Sequence, residues 1–279
     1  MNEPGHLVLV ATPIGNLGDL PPRAVEVLAS ADLVACEDTR RTGRLLAAAG
    51  IRAKALVAVH DHNEATQVGT VMARLRAGEV VAVVTDAGTP GISDPGERLV
   101  RAAAQSGFEV RIVPGPSAAI SGLVASGLPT GRFVFEGFLP RKGSGRTRRL
   151  AALAAEERTL VLYEAPHRLA RTIDDLAAAL GGERRVAIAR ELTKLHEEVW
   201  RGTLAEAVAR VAEVEPRGEH VVVVEGAPEP DVVDDDDIRA AIAGRLAAGS
   251  SRRDAVAEVA AGLGVARRRV YDLALDAPA

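Results

Sequence analysis

Five short, mostly apolar runs recur through the first 115 residues, and segments with helical periodicity separate them. They are "HLVLVAT" from His6, "DLVACE" from Asp32, "KALVAV" from Lys54, "EVVAVVTD" from Glu79 and "FEVRIVP" from Phe108. A strand with one wet face alternates apolar and polar residues. These runs are nearly continuous, so both faces need cover. The segments between them provide it: "PPRAVEVLAS" opens on proline, "TRRTGRLLAAAG" closes on glycine, and "NEATQVGTVMARLRAG" and "DPGERLVRAAAQSG" continue the pattern. Alternation of this kind predicts a mostly parallel α/β domain over residues 1–119.

The second half changes character. "RFVFEGF", "RTLVLYEA", "RRVAIAREL", "EEVWRGTL" and "GEHVVVVEG" are strand-like, and "PHRLARTIDDLAAAL" and "TLAEAVARVAEV" are helical. The short step from "VAIAREL" to "VWRGTL" predicts antiparallel neighbours, hence a mixed sheet in a second α/β domain over residues 120–227. "APEPDVVDDDD" then predicts an acidic, solvated linker over 228–237. Residues 238–279 are helical throughout, and a helix, "GLGV" and the basic "ARRRVYDL" follow the rhythm of a helix-turn-helix.

Aromatic residues make up only 3% of the chain, so its cores are built from Val, Leu, Ile and Ala. The single cysteine, Cys36, excludes an internal disulfide and a cysteine-based metal cluster, and its apolar setting predicts a core residue. A net charge of −4 gives no general attraction to nucleic acid, so any RNA contact needs a local basic patch. No apolar segment has the length of a membrane helix and "MNEPGHLVLVAT" lacks a basic leader, so the expected location is cytoplasmic, with no membrane partner.

Four loops follow apolar strands with Gly, Pro and small hydroxyl residues: "ATPIGNLGDL" from Ala11, "CEDTRRT" from Cys36, "TDAGTPGISDPG" from Thr85 and "VPGPSAAISG" from Val113. Open α/β sheets bind ligands at this strand edge. A nucleotide phosphate is the wrong ligand: "GFLPRKGS" puts lysine before glycine, and Gly88, Gly91 and Gly96 are spaced three and five apart. Within these loops, Glu37 and Asp38 are candidates for a catalytic base or a ribose ligand, with helix capping the other reading of Asp38. Asn16 and Asp19 either orient a ligand or cap a turn. In "YEAPHR", Glu164, His167 and Arg168 are candidates for RNA or cleft contact, or for a role at the start of a helix.

His60 and His62 in "HDHNE" lack a third ligand at a zinc spacing, so no metal is predicted and the stretch reads as a polar loop at the substrate mouth. "PRKGSGRTRRL" places Arg141, Lys142, Arg146, Arg148 and Arg149 on what reads as a flexible Gly-Ser loop suited to phosphates. Arg252, Arg253, Arg267, Arg268 and Arg269 make the tail a second nucleic-acid candidate.

Taken in order, "VATPIGNLGDL", "EDTRRTGRLL", "VVTDAGTPGISDPG", "VPGPSAAISGL", "YEAPHR" and "GEHVVVVEG" resemble the ribosomal RNA small-subunit methyltransferase I family over residues 6–226 and into the tail. That family has the tetrapyrrole-methylase fold of class III S-adenosylmethionine methyltransferases. The resemblance implies two α/β domains with S-adenosylmethionine in the cleft between them, a homodimer, and methylation of the ribose 2′-hydroxyl of cytidine 1402 in 16S rRNA of the small ribosomal subunit. It carries cofactor contacts onto Asp86, Gly88, Thr89, Pro90, Ser117 and Ala118, with Pro13 and Ile92 as further contacts. Asp94, Pro95 and Gly96 are left to turn the chain into the next helix. RNA contacts fall to Arg141, Lys142, Arg146, Arg148, Arg149, His167, Arg168, Arg267, Arg268 and Arg269. A sulfonium bears no phosphate, which agrees with the missing phosphate loops. A methyltransferase of the same fold acting on a corrin or porphyrin precursor is the alternative, and a helix-turn-helix regulator that senses a small ligand is a third. The two basic segments favour RNA.

Overall fold

The computed structural model describes residues 5–60, 62–228 and 234–275. The first sheet contains β1 (His6–Val10), β2 (Leu33–Cys36), β3 (Leu56–Ala58), β4 (Val80–Val83) and β5 (Glu109–Val113), all parallel in the order β3-β2-β4-β1-β5. Its faces divide by the two-residue period of a strand. Val8, Val10, Val34, Cys36 and Ala82 meet Leu28 of α1 (Pro22–Ser30) and Leu46 of α2 (Thr39–Ala48). Leu7, Leu33, Ala35, Val81 and Val83 meet Met72 and Leu75 of α3 (Glu64–Arg76) and Leu99 of α4 (Glu97–Gln105). Because the strands run one way, the loops after β1, β2, β4 and β5 leave from a single edge.

The second sheet is mixed. It contains β6 (Phe133–Gly137), β7 (Thr159–Glu164), β8 (Arg185–Arg190), β9 (Glu198–Thr203) and β10 (His220–Val224), in the order β6-β7-β10-β8-β9. β6 and β7 are parallel and the other pairs antiparallel; the predicted β8–β9 hairpin pairs Arg190 with Glu198 and Arg185 with Thr203. One face packs on α6 (Ser144–Ala154), α7 (Pro166–Leu180) and α8 (Leu204–Glu213) through Leu150, Leu153, Ile173, Leu176 and Leu204. The other face receives Ala119 and Leu123 of α5 (Ala118–Ser126) together with Ile14 from the loop after β1. The first half of the chain thus contributes to the core of the second, and residues 1–227 form one compact unit.

Two helices depart from expectation. α5 lies where "PSAAISG" read as a ligand loop, because its residues are apolar or small on every side and leave no helical stripe to read. α6 replaces the flexible basic loop: Leu150 and Leu153 face the core and Arg146 is 4% exposed. Arg146 donates from Nε to Asp175 at 2.6 Å, from Nη1 to the Pro140 carbonyl at 3.0 Å and from Nη2 to Thr172 Oγ1 at 3.0 Å. Its guanidinium therefore ties α6 to α7 and is closed to phosphate.

Residues 228–279 form a separate compact unit. It contains α9 (Asp235–Ala247), α10 (Arg252–Leu263) and α11 (Arg267–Leu275), packed through Ile238, Ile242, Val256, Val259, Val270 and Leu273. The acidic run is not all spacer. Asp234 accepts from the amides of Asp236 and Asp237, both at 2.8 Å, and Asp237 accepts from the Asp234 amide at 3.2 Å. This reciprocal cap sets three aspartates at the positive end of α9. Residues 229–233 of the expected linker lie outside the described residues. Among the described residues no helix is long and apolar enough to cross a membrane.

Candidate functional site

The strand-end loops are bonded to one another. Thr12 and Gly88 exchange backbone hydrogen bonds of 2.9 and 3.1 Å, and Thr12 Oγ1 donates to the Thr85 carbonyl at 3.1 Å. Thr85 Oγ1 donates to Glu37 at 3.1 Å, the Asp38 amide donates to Asp86 at 3.3 Å, and Arg41 pairs with Asp86 at 3.1 Å. The loop after β4 is the hub of these contacts. Its backbone turns at Gly88 with φ +87°, a conformation that favours glycine. Downstream, the Gly91 amide donates to the Pro95 carbonyl at 3.0 Å, and buried Glu64 accepts from the amides of Gly96 and Arg98, both at 3.0 Å. Glu64 thus satisfies the open N-terminus of α4 and fixes the far end of the loop.

A cleft of about 470 Å³ opens between this edge and the second sheet, within the size range of small-molecule sites. Ile14, Glu37, Asp86, Gly88, Thr89, Ile92, Ser117 and Ala118 line one wall, and Tyr163, His167, Glu191, Lys194, Glu219 and His220 line the other. Of the residues expected to hold a cofactor, Asp86, Gly88, Thr89, Ile92, Ser117 and Ala118 are therefore brought together. Pro13 and Pro90 are not on the walls; Pro90 is buried inside its loop. Asp94, expected only to turn the chain, does line the cleft, while Pro95 and Gly96 make the turn.

Glu37 and Asp38 part company. Glu37 reaches the cleft, whereas Asp38 caps α2, accepting from the Arg40 amide at 2.8 Å and pairing with the Arg40 guanidinium at 2.8 Å. That guanidinium holds the Asp38 carboxyl well below the usual carboxylate range. Asn16 caps a 3-10 turn over Leu17–Asp19 by accepting from the Gly18 amide at 2.9 Å. His167 lines the cleft, but Arg168 turns away to the Leu139 carbonyl at 2.6 Å and to Glu164 at 3.2 Å. Glu164 is among the residues lining the cleft, but its carboxylate is fully enclosed, accepting from the Ala165 amide at 2.9 Å and from Thr172 Oγ1 at 2.6 Å, so it fixes the β7–α7 corner.

His60 and His62 are absent from the cleft walls, and Asp61 lies outside the described residues. Among the described residues, no group of three or more His, Cys, Asp or Glu side chains can hold a metal ion. Of the basic residues, Arg141, Lys142, Arg148, Arg267 and Arg268 are exposed, Arg149 pairs with Glu136, and Arg269 pairs with Asp235 at 2.6 Å.

Sequence reasoning missed much of the second wall. Tyr163 accepts from the Ala119 amide at 3.1 Å and lies edge-on to Phe135 and Phe138; burial pushes its phenol up. His220 is buried at the start of β10, between Glu164 and Arg190 in register, and burial pushes its imidazole down, so it is neutral at pH 7. After β8, Glu191 and Thr193 adopt φ of +50° and +65° although neither is glycine. Each such residue costs about 1–3 kcal/mol and persists where surrounding bonds over-determine it. The Glu191 amide donates to the Glu219 carbonyl, and the Glu191 carboxylate accepts from the Glu219 amide, both at 2.9 Å. "ELTK" contains no glycine, aspartate or asparagine to signal that turn. The one available clue was its position directly after a buried strand.

A family model for Tetrapyrrole (Corrin/Porphyrin) Methylases matches residues 6–208. "Ribosomal RNA small subunit methyltransferase I" of Synechocystis sp. is 48% identical over 274 residues, covering 98% of each chain. The protein of that name from Escherichia coli O157:H7 is 51% identical over 227 residues, covering 81% of this chain and 79% of its own. Among solved structures, the uroporphyrin-III-C-methyltransferase of Thermus thermophilus is 25% identical with a TM-score of 0.56, covering 78% of this chain and 94% of its own. A structure of the Thermus enzyme complexed with S-adenyl homocysteine has a TM-score of 0.55 at 22% identity, covering 79% and 97%. With its parallel sheet, mixed sheet and intervening cleft, and with near-complete coverage by relatives at about half identity, the chain belongs to the ribosomal RNA small subunit methyltransferase I family of tetrapyrrole methylases.

Proposed function

We propose that the protein uses S-adenosylmethionine to methylate the ribose 2′-hydroxyl of cytidine 1402 in 16S rRNA of the small ribosomal subunit. The observation that carries this reading is the cleft itself: four loops without a phosphate-binding motif enclose a small-molecule space whose walls bear the carboxylates Glu37, Asp86 and Asp94. When bound, the cofactor supplies a methyl group on a positively charged sulfur. The residues present fit it: carboxylates attract its cationic groups, the backbone at Gly88 admits close approach, and Ile14 and Ala118 give apolar cover. Asp86, Gly88, Thr89, Ser117 and Ala118 would hold it. Fixing donor and acceptor in line can supply at most roughly 7–11 kcal/mol of the barrier.

For RNA, the exposed side chains of Arg141 and Lys142 just before α6 and of Arg148 on it offer phosphate contacts, and Arg267 and Arg268 offer them on the separate tail. Replacing Arg141, Lys142 and Arg148 by alanine should reduce the salt slope of RNA binding by about 2, at roughly 0.7 per neutralised phosphate on single strands. Filter binding across a salt series checks this, and an unchanged slope removes these residues from the interface. Exposed Ile112 on the edge strand β5, with Ile120 and Val124 one turn apart on α5, provides apolar surface for a homodimer. The substrate places the reaction in the bacterial cytoplasm.

The direct test incubates the purified protein with tritiated S-adenosylmethionine and small subunits from a strain lacking the modification. Label is expected in 16S rRNA. Label in a corrin or porphyrin precursor supplied in a parallel incubation, with none in RNA, would move the assignment to the corrin and porphyrin branch of the fold.

A further inference from the structure

We propose that Lys194 is the cation that receives the acceptor oxygen during methyl transfer, with the Glu219 carboxylate beside it to take the proton. The inference rests on the methyl-transfer reading above and names residues for the acceptor side of the same cleft.

Lys194 projects into the cleft from the strained turn after β8. Its ammonium lies 2.9 Å from Glu191 and 2.7 Å from Glu219. Burial acts to lower its pKa, but the bonds to Glu219 and Glu191 outweigh this and raise it, so it stays charged. An ammonium has three donors. Two are engaged by these carboxylates, which leaves one for an acceptor in the cleft. Glu191 Oε1 accepts from both Lys194 Nζ and the Glu219 amide, and Glu191 so acts as the mount. Glu219 has a side chain 78% exposed, which leaves it open to exchange a proton with water.

The opposite loop is shaped around this lysine. Gly15 is not among the glycines with a positive φ, so the left-handed region is not what calls for glycine here. A β-carbon at Gly15 would overlap Cγ of Lys194 and meet its Cε at 2.9 Å, so the lysine stem would have to move to admit a side chain. The first strand-end loop thus omits a side chain where the lysine stem crosses. Arg41, the other cation on the walls, is paired with Asp86 and has a side chain 63% exposed, which weakens its field in the cleft.

The step balances. The acceptor hydroxyl takes the third N–H of Lys194, which stabilises negative charge as it grows on oxygen. The oxygen lone pair forms the new oxygen–carbon bond, the carbon–sulfur bond breaks with its electron pair remaining on sulfur, and the hydroxyl proton passes to Glu219 and then to water.

The test uses the full chain as wild type, Lys194→Met, Gly15→Ala and the double variant. It measures methyl transfer to small subunits at saturating substrates, cofactor affinity by calorimetry, and thermal melting. Lys194→Met should lose about 100- to 1,000-fold in kcat, the size of a lost charge-stabilising donor. Cofactor Kd should hold within about 3-fold. Gly15→Ala, which displaces the lysine without touching either carboxylate, should lose about 10-fold, and the double variant should be no worse than Lys194→Met alone because one interaction is removed twice. A kcat for Lys194→Met within about 3-fold of wild type, or a loss confined to cofactor affinity, overturns the proposal while the methyl-transfer reading stands. Absence of label with the wild-type protein overturns that reading, and the proposal with it.

Discussion

Arg146→Met is expected to destabilise the protein by about 1–3 kcal/mol, the usual consequence of leaving buried polar groups without their donor. For a unit of this size that corresponds to a melting-point drop of roughly 2–12 °C. The side chain donates to Asp175, the Pro140 carbonyl and Thr172, and Thr172 in turn donates to the enclosed carboxylate of Glu164. Methionine fills a similar volume but leaves the Pro140 carbonyl without its donor, while Asp175, a third exposed, keeps the longer pairing to Arg171 at 3.8 Å. Arg148→Met, two residues along on the exposed side of α6, should stay within about 0.5 kcal/mol of wild type. Melting curves of the two variants separate a structural arginine from a surface one. An unchanged melting point for Arg146→Met would return that residue to the set available for RNA.

Ser117→Trp has the second large effect, and it falls on ligand binding rather than on the fold. Ser117 sits at the N-terminus of α5 but makes no side-chain cap bond to the helix, and it faces the cleft. Replacing it removes no helix cap, while an indole would occupy space that the cofactor needs. Overpacking of this kind costs on the order of 3 kcal/mol, which is about 100-fold in affinity. Calorimetry with S-adenosylmethionine should show that loss with a melting point close to wild type. Unchanged affinity would mean that the cofactor lies elsewhere.

The strands were legible because a strand covered on both faces must be apolar throughout, and the parallel run "HLVLV" and the antiparallel central run "VVVV" both meet that demand. The β8–β9 hairpin was legible for an equally local reason, its short connection. What stayed hidden depends on partners distant in sequence. Arg146 looked like one of five cations on a loop, and only Thr172 and Asp175, 26 and 29 residues away, make it a core residue. Glu64 looked like part of a polar "HDHNE" loop, yet it serves the start of α4 more than 30 residues later. Asp38 and Glu37 are adjacent and chemically alike, but the cap geometry of α2 takes one and the cleft takes the other. The turn at Glu191 and Thr193 had no sequence signal because it is imposed by Glu219, on the approach to β10, rather than favoured by its own residues.

The most direct measurement of the central claim is the position of the transferred methyl group. Small subunits lacking the modification, incubated with the protein and S-adenosylmethionine, would be digested to oligonucleotides and nucleosides and analysed by mass spectrometry. The account predicts one added methyl group, recovered as 2′-O-methylcytidine from the fragment containing cytidine 1402. A methyl group on a base, at another nucleotide, or on no nucleotide at all would contradict it.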